Sequence, residues 1–365
     1  GDNNVFLGKC AGNSTNTGDQ NVFLGKYAGK SFTGGYNNIA IGCKAASLAT
    51  GGHDNIFLGG YNVRNLSAGE DNIIMGTSAG DSLTTACRNV FIGCKAGQDA
   101  TTAKHNVYVG TYAGKPSATT CYNSFFGGFA GSSHSDGNYN FYGGYNSGGL
   151  KGAYNVAFGK FARREKCGDH NIAMGMCAAG KCTACNTNNI TMGYFAAACI
   201  TTGSDNIFLG RCTAAAGVLT GNYNIAFGQC ALNPLTSGGN NLSIGCHSGK
   251  AVTEGSHNIF LGRYTGYNVT TGSKNIAIGC QLDLSATGNE QLAIGNATSR
   301  WIQGDSSYNV CLAGSTIKAM NSGGIFCATC FKGDGGALTG ISAGFEPDAQ
   351  GNLYAGTGAG AASDG

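Results

Sequence analysis

The sequence predicts an all-β fold, a β-solenoid of about 17 residues per rung and about 18 rungs, on three observations. First, one phrase recurs along the chain: "GDNNVFLG" at Gly1, then "GDQNVFLG", "GHDNIFLG", "GSDNIFLG" and "GSHNIFLG". Second, its Asn keeps time, falling at Asn4, Asn21, Asn38, Asn55, Asn72, Asn89, Asn106, Asn123 and Asn140, every 17 residues without exception. Third, 64 of 365 residues are Gly and only 3 are Pro, while the apolar fraction stays at 42%, so the chain is neither disordered nor collagen-like.

Past Asn140 the spacing loosens to steps of 15 to 18 through Asn155, Asn171, Asn189, Asn206, Asn224, Asn241, Asn258 and Asn275, with Gln291 and Asn309 in the last two slots. Each unit reads G-x-x-N-[V/I]-x-[L/I/M]-G-x-x-A-G, then about five small or polar residues. An apolar stretch this short is a strand, not a helix. The Gly that closes it, from Gly8 to Gly295, reads as a corner. Gly1, Gly18 and Gly35, three residues before the Asn, mark a second corner. Such a unit cannot bury an apolar face alone, so copies stack. At roughly 4.8 Å per rung the rod is about 85 Å long.

Within a rung, the Asn column stacks identical amides into a hydrogen-bonded ladder. The first and third strand positions, Val5 and Leu7 in the opening rung, are expected to fill the coil, with small residues such as Ala11 and Ala28 on the far wall. The middle position then points outward, forming a stripe through Phe6, Phe23, Phe57, Phe91, Tyr108, Phe125, Tyr142, Phe208 and Phe260. A stripe that long exceeds the few hundred Å² a lone protein exposes, so it requires a cover. Identical parallel chains supply one, a homotrimer first and a dimer second. The alternative cover is a second wall of the same chain.

The 17 cysteines fall mostly into repeat columns. Cys212 and Cys230 share a column on consecutive rungs, a spacing that permits a disulfide, with buried packing thiols as the alternative. The Cys-x-x-Cys pairs Cys182/Cys185 and Cys327/Cys330 lie about eight rungs apart, which disfavours a shared zinc site.

Several function classes are disfavoured by inventory. A net charge of +3 gives no strong field for nucleic acid. No run approaches the roughly 18 apolar residues of a membrane helix, so membrane insertion is not expected. The acids sit at corners, where they form turns, and the six His follow no catalytic or metal-ligand spacing. The expectation is therefore no enzyme, no metal and no cofactor.

The chain divides into the solenoid at 1–299, a terminal rung or cap at 300–312, a distinct β module at 313–341 and a Gly/Ala-rich connector at 342–365. Trp301, the single Trp, is expected to close the apolar end of the coil. The sequence opens inside a repeat without Met and ends in "GTGAGAASDG", as expected of a segment or a processed product.

The "NIAIG" and "xxAG" repeat resembles the heads of trimeric autotransporter adhesins. It is more similar to repeat regions of tail-fibre and other appendage proteins of marine bacteriophages. There "N-[I/V]-x-[I/L]-G-x-x-A-G" units precede a segment like "GIVTATSFxGDGSGLTGI". The stretch "GGIFCATCFKGDGGALTGI" at 323–341 resembles that segment, and "RWIQGDSSYNV" at 300–310 resembles the lead into it. This chain departs in its cysteines, which stand where Val, Thr or Ser is usual. The resemblance implies an extracellular virion appendage, a trimeric fibre that carries or forms a host-receptor adhesion element and performs no chemistry. The receptor is then a host-surface glycan or protein. The alternative is a trimeric adhesin or extracellular filament subunit at a cell surface.

Overall fold

A computed structural model describes residues 1–312, apart from 16, 165–166, 181–183 and 308, together with two short strands beyond them. The described residues contain strands and turns and no helix. Eighteen strands, from β1 (Val5–Leu7) to β18 (Leu292–Asn296), stack in parallel, each paired with the next in chain order. The register follows the repeat: Val5 faces Val22, Phe6 faces Phe23 and Leu7 faces Leu24, and matching positions stay aligned to the last pair. This is a β-solenoid.

The Asn column explains why each strand starts where it does. Asn55 Nδ2 donates to Asn38 Oδ1 at 2.9 Å, to its own corner at His53 O (2.9 Å) and to Gly69 O of the next turn (2.8 Å). Asn38 Oδ1 also accepts the Asn55 backbone N–H. The same ladder runs from Asn4 through Asn21, Asn38, Asn55, Asn72, Asn89, Asn106, Asn123 and Asn140, and continues beyond. All but Asn4 in the first rung are fully or almost fully buried, so their amides must find partners inside the protein.

That ladder fixes the phase of the strand, and the phase is the reverse of the expected one. With the Asn side chain inside, alternation turns the next residue out, the middle one in and the third out. Phe23, Phe57, Phe91, Tyr108, Phe125, Tyr142, Phe208 and Phe260 are completely buried in the coil, and Phe6 is partly open only because it occupies the first rung. They are therefore not an inter-chain stripe. The second wall of the same chain covers them, and Val5, Leu7 and their counterparts form the outer surface.

Inside, Phe91, Tyr108, Phe125 and Tyr142 stack at centroid spacings of 4.7, 4.9 and 4.7 Å. Each ring is accommodated by a Gly six residues on: a Cβ added to Gly97 would sit 2.4 Å from Phe91, and one on Gly148 would sit 2.1 Å from Tyr142. Where the middle residue is small, the same seat is filled instead. Ala157 is followed by Arg163 and Ala226 by Leu232, both fully buried. Interiors are close-packed, and in these rungs the two positions trade volume, whereas Phe57 is paired with the equally buried Val63 and Ala40 with Ala46. Ala28, Ala45, Ala79 and Ala96 line the opposite wall, and Phe32, Leu66 and Leu83 close the third side.

The cysteine expectation also changes. Cys212 and Cys230 are free and half-buried. Both sit at left-handed corners with φ of 52° and 53°, which carry their thiols outward side by side. The disulfide is instead Cys167–Cys185, where two backbones meet as an isolated parallel bridge with Cα atoms at 4.6 Å. Cys182, Cys327 and Cys330 lie outside the described residues.

At the end of the coil, β19 (Arg300–Gly304) turns back antiparallel on β18, and β20 (Val310–Leu312) pairs antiparallel with β19. Residues 300–312 are thus a terminal antiparallel extension of the last rung, not a further rung. Trp301 is 61% exposed and does not plug the core. The β module expected at 313–341 lies outside the described residues. The stretch read as a connector contains β21 (Phe345–Pro347), paired antiparallel with β22 (Leu353–Ala355) in a separate unit.

Candidate interaction surfaces

The outward strand face follows directly from the phase set by the Asn ladder. Across β1 to β18 its two columns are Val, Ile, Leu, Met or Phe everywhere except Ser124 and Gly143, and none is charged. The exceptions are filled by neighbours. Phe158 lies over Gly143, 2.5 Å from where a Cβ would be, and Phe126 meets Phe141 at 5.8 Å. The surface is a continuous apolar strip along the coil.

One border of the strip, just before each Asn, carries most of the corner acids, and these are engaged by their own column. Asn37 donates to Asp54, His53 bridges Asp54 (2.9 Å) and Glu70 (3.1 Å), and Arg88 reaches Glu70 (3.2 Å) and Asp71 (3.4 Å). The Asn37 and His53 hydrogen bonds hold the Asp54 carboxyl below the usual range. Further along, His105, Tyr122, Tyr139, Tyr154 and His170 form an exposed ring stack at 4.7 to 5.0 Å.

Comparison of the chain with known protein families, characterised proteins and solved structures gives no match. The surfaces themselves therefore carry the functional argument.

The other border, a ridge after each corner Gly, is cationic. Lys26 and Lys30 stand over Tyr27 at 5.3 and 5.5 Å, and Lys95 and Lys115 over Tyr112 at 5.2 and 5.6 Å. Lys160 and Arg164 flank Phe161 at 5.2 and 5.3 Å. These contacts steady long side chains while leaving their charge in solvent. His247 shares the ridge, and its pKa is lowered by desolvation and by Lys250 and Arg263.

The interior holds titratable groups in structural positions. Burial pushes the Tyr108 hydroxyl up to about 12, and it bonds Thr120 at 3.3 Å. His134 is buried, its ring nitrogens near Gly149 O (3.2 Å) and Gly137 O (3.1 Å), with its pKa lowered chiefly by desolvation. Among the described residues no three His, Cys, Asp or Glu are placed to hold a metal ion, and no helix is long and apolar enough to cross a membrane.

The sequence missed the outward columns and the cationic ridge. Two signals were present: a buried Asn dictates the parity of the residues after it, and Gly follows a large middle residue at a distance of six in "NVFLGKYAG" (Phe23, Gly29) and "NVYVGTYAG" (Tyr108, Gly114).

Proposed function

We propose that this chain is a structural fibre segment of a virion appendage, a phage tail-fibre rod that projects or forms an element adhering to a host-surface glycan or protein. The observation that carries the reading is the outward apolar face along all eighteen parallel strands. Twelve of its side chains, among them Ile41, Ile73, Ile92, Phe126 and Phe158, are more than one-third exposed. At roughly 60 Å² each they expose on the order of 700 Å², more than a lone protein usually tolerates and close to the ~800 Å² per partner of a stable interface.

A second copy of the chain is the fitting occupant. A parallel copy keeps every rung in register over the whole length, and three copies about one axis bury all three faces, with a dimer as the next arrangement. The Cys167–Cys185 bridge supports an oxidising location, in keeping with a place outside the cell. The test is sedimentation-equilibrium mass with electron-microscopic dimensions of the full chain. A trimeric rod is expected, and Ile73→Lys with Ile92→Lys is expected to yield a monomer of unchanged circular dichroism. A monodisperse wild-type monomer would remove the reading.

A further inference from the structure

We infer that the ridge following the strands is a binding strip for an extended anionic polysaccharide. The first, second and fifth residues after each corner Gly hold thirteen of the chain's 22 Lys and Arg but a single carboxylate, Asp81. Asp81 pairs with Arg64 at 2.5 Å. The other twelve cations have no carboxylate within ion-pair distance among the described residues, and the best-placed of them rest on Tyr27, Tyr112 and Phe161. The modest net charge of +3 conceals this segregation.

Over the first seven rungs the ridge averages about one cation per rung, close to one every 5 Å. A flexible, evenly charged polymer lying along the coil meets that array without having to bend. A second copy is a poorer complement over the regular rungs, because Asp54, Glu70 and Asp71 of the opposite border are already bound by Asn37, His53 and Arg88. Single-stranded nucleic acid binds largely by stacking bases on aromatic faces. Here the cations stand over those faces, which leaves charge as the main contact. The inference rests on the fibre reading for its source of polymer, a cell surface.

The experiment uses the full chain, with heparin as the anionic polysaccharide, dextran as the neutral control and single- and double-stranded DNA as competing polyanions. Heparin is expected to bind, and to weaken at least about tenfold between roughly 50 and 200 mM salt. Replacing Lys26, Lys30, Lys95, Lys115, Lys160 and Arg164 together by Gln is expected to cost about tenfold or more, while Lys104→Gln with Lys274→Gln changes affinity less than about twofold. Mass and circular dichroism of each variant establish that it is folded. The inference is overturned if heparin does not bind at low salt, if the sixfold variant binds as well as wild type, or if either DNA binds more tightly than heparin. A monomer that still binds heparin through the ridge would overturn the fibre reading alone, and a trimer that does not bind would overturn this inference alone.

Discussion

The rungs up to Asn140 and those from Asn140 to Asn206 are built to different lengths, yet they stack alike. In the first region every turn has 17 residues; in the second the turns have 15, 16, 18 and 17. The ladder does not register the change. Asn155 N–H meets Asn140 Oδ1 at 3.0 Å, and the next two links are each 2.9 Å, against 3.1 Å for Asn89 on Asn72 in the regular part. Strand register is equally unaffected, with Val156 on Phe141 and Ile172 on Ile190. The back wall absorbs the difference. Phe32, Leu66 and Leu83 fill it in the regular rungs, while Arg163 enters the core of a shortened one and the Cys167–Cys185 bridge ties the following turns. A rung is thus defined by its ladder and its strand register, and its length is free to vary.

The largest expected effect tests the trade of volume between the two positions. Phe91→Ala should cost about 3–5 kcal/mol by emptying a fully buried ring site. Gly97→Ala alone should cost about 2 kcal/mol, because its Cβ would meet that ring. Made together, the two reproduce the pairing of Ala40 with Ala46 and of Ala173 with Ala179, found in both regions, and denaturant unfolding should show them at least about 1 kcal/mol better than additive because the added Cβ no longer meets a ring. Strict additivity would mean that the two positions do not share one space.

A somewhat smaller loss tests the ladder. Asn72→Ala and Asn171→Ala should each cost about 3 kcal/mol, since both strand buried backbone partners, and hydrogen exchange should rise in the flanking strands. A neutral Asn171→Ala would mean that the irregular region is held by something other than its Asn column.

The smallest effect sits at the junction. His134 lies in the last regular stretch and reaches Gly149 across a shortened turn. Burial lowers its pKa, with Arg163 reinforcing and Asp136 opposing the shift, so the unfolded chain binds the proton more readily. Its contribution is therefore complete above the unfolded value of about 6.5 and declines as pH falls below it. After correction for the intrinsic pH dependence of amide exchange, protection at Phe141 and Tyr142 should fall between about pH 7 and pH 5, and His134→Gln should flatten that dependence. Identical profiles for the two proteins would discard the assignment.

The stacking, the corners and the Asn column were legible because each repeats one residue type at one spacing. Inside and outside were not, because Val5, Phe6 and Leu7 are all apolar and hydrophobicity carries no phase among them. Only the hydrogen-bonding requirement of Asn4 and the Phe23–Gly29 reciprocity contain that information. Cys167 and Cys185 were legible too, each four residues before a ladder Asn (Asn171 and Asn189), but the altered length of the turns obscured the match. Trp301 misled through its size, because the antiparallel return of β19 sets its side chain outside the coil.

Most turns also hold two or three non-glycine residues in the left-handed region, such as Asn3 and Cys10 or Tyr122 and Phe129, with φ near +60°. Each such residue is disfavoured by roughly 1–2 kcal/mol on its own. An isolated turn is consequently in debt before it makes any contact, and it becomes solvent only when a finished neighbour presents its amides, ring and strand edge. Growth of the coil then resembles the advance of a crystal face more than the collapse of a globule: a slow first layer, then rapid copying, with each completed turn acting as the mould for the next.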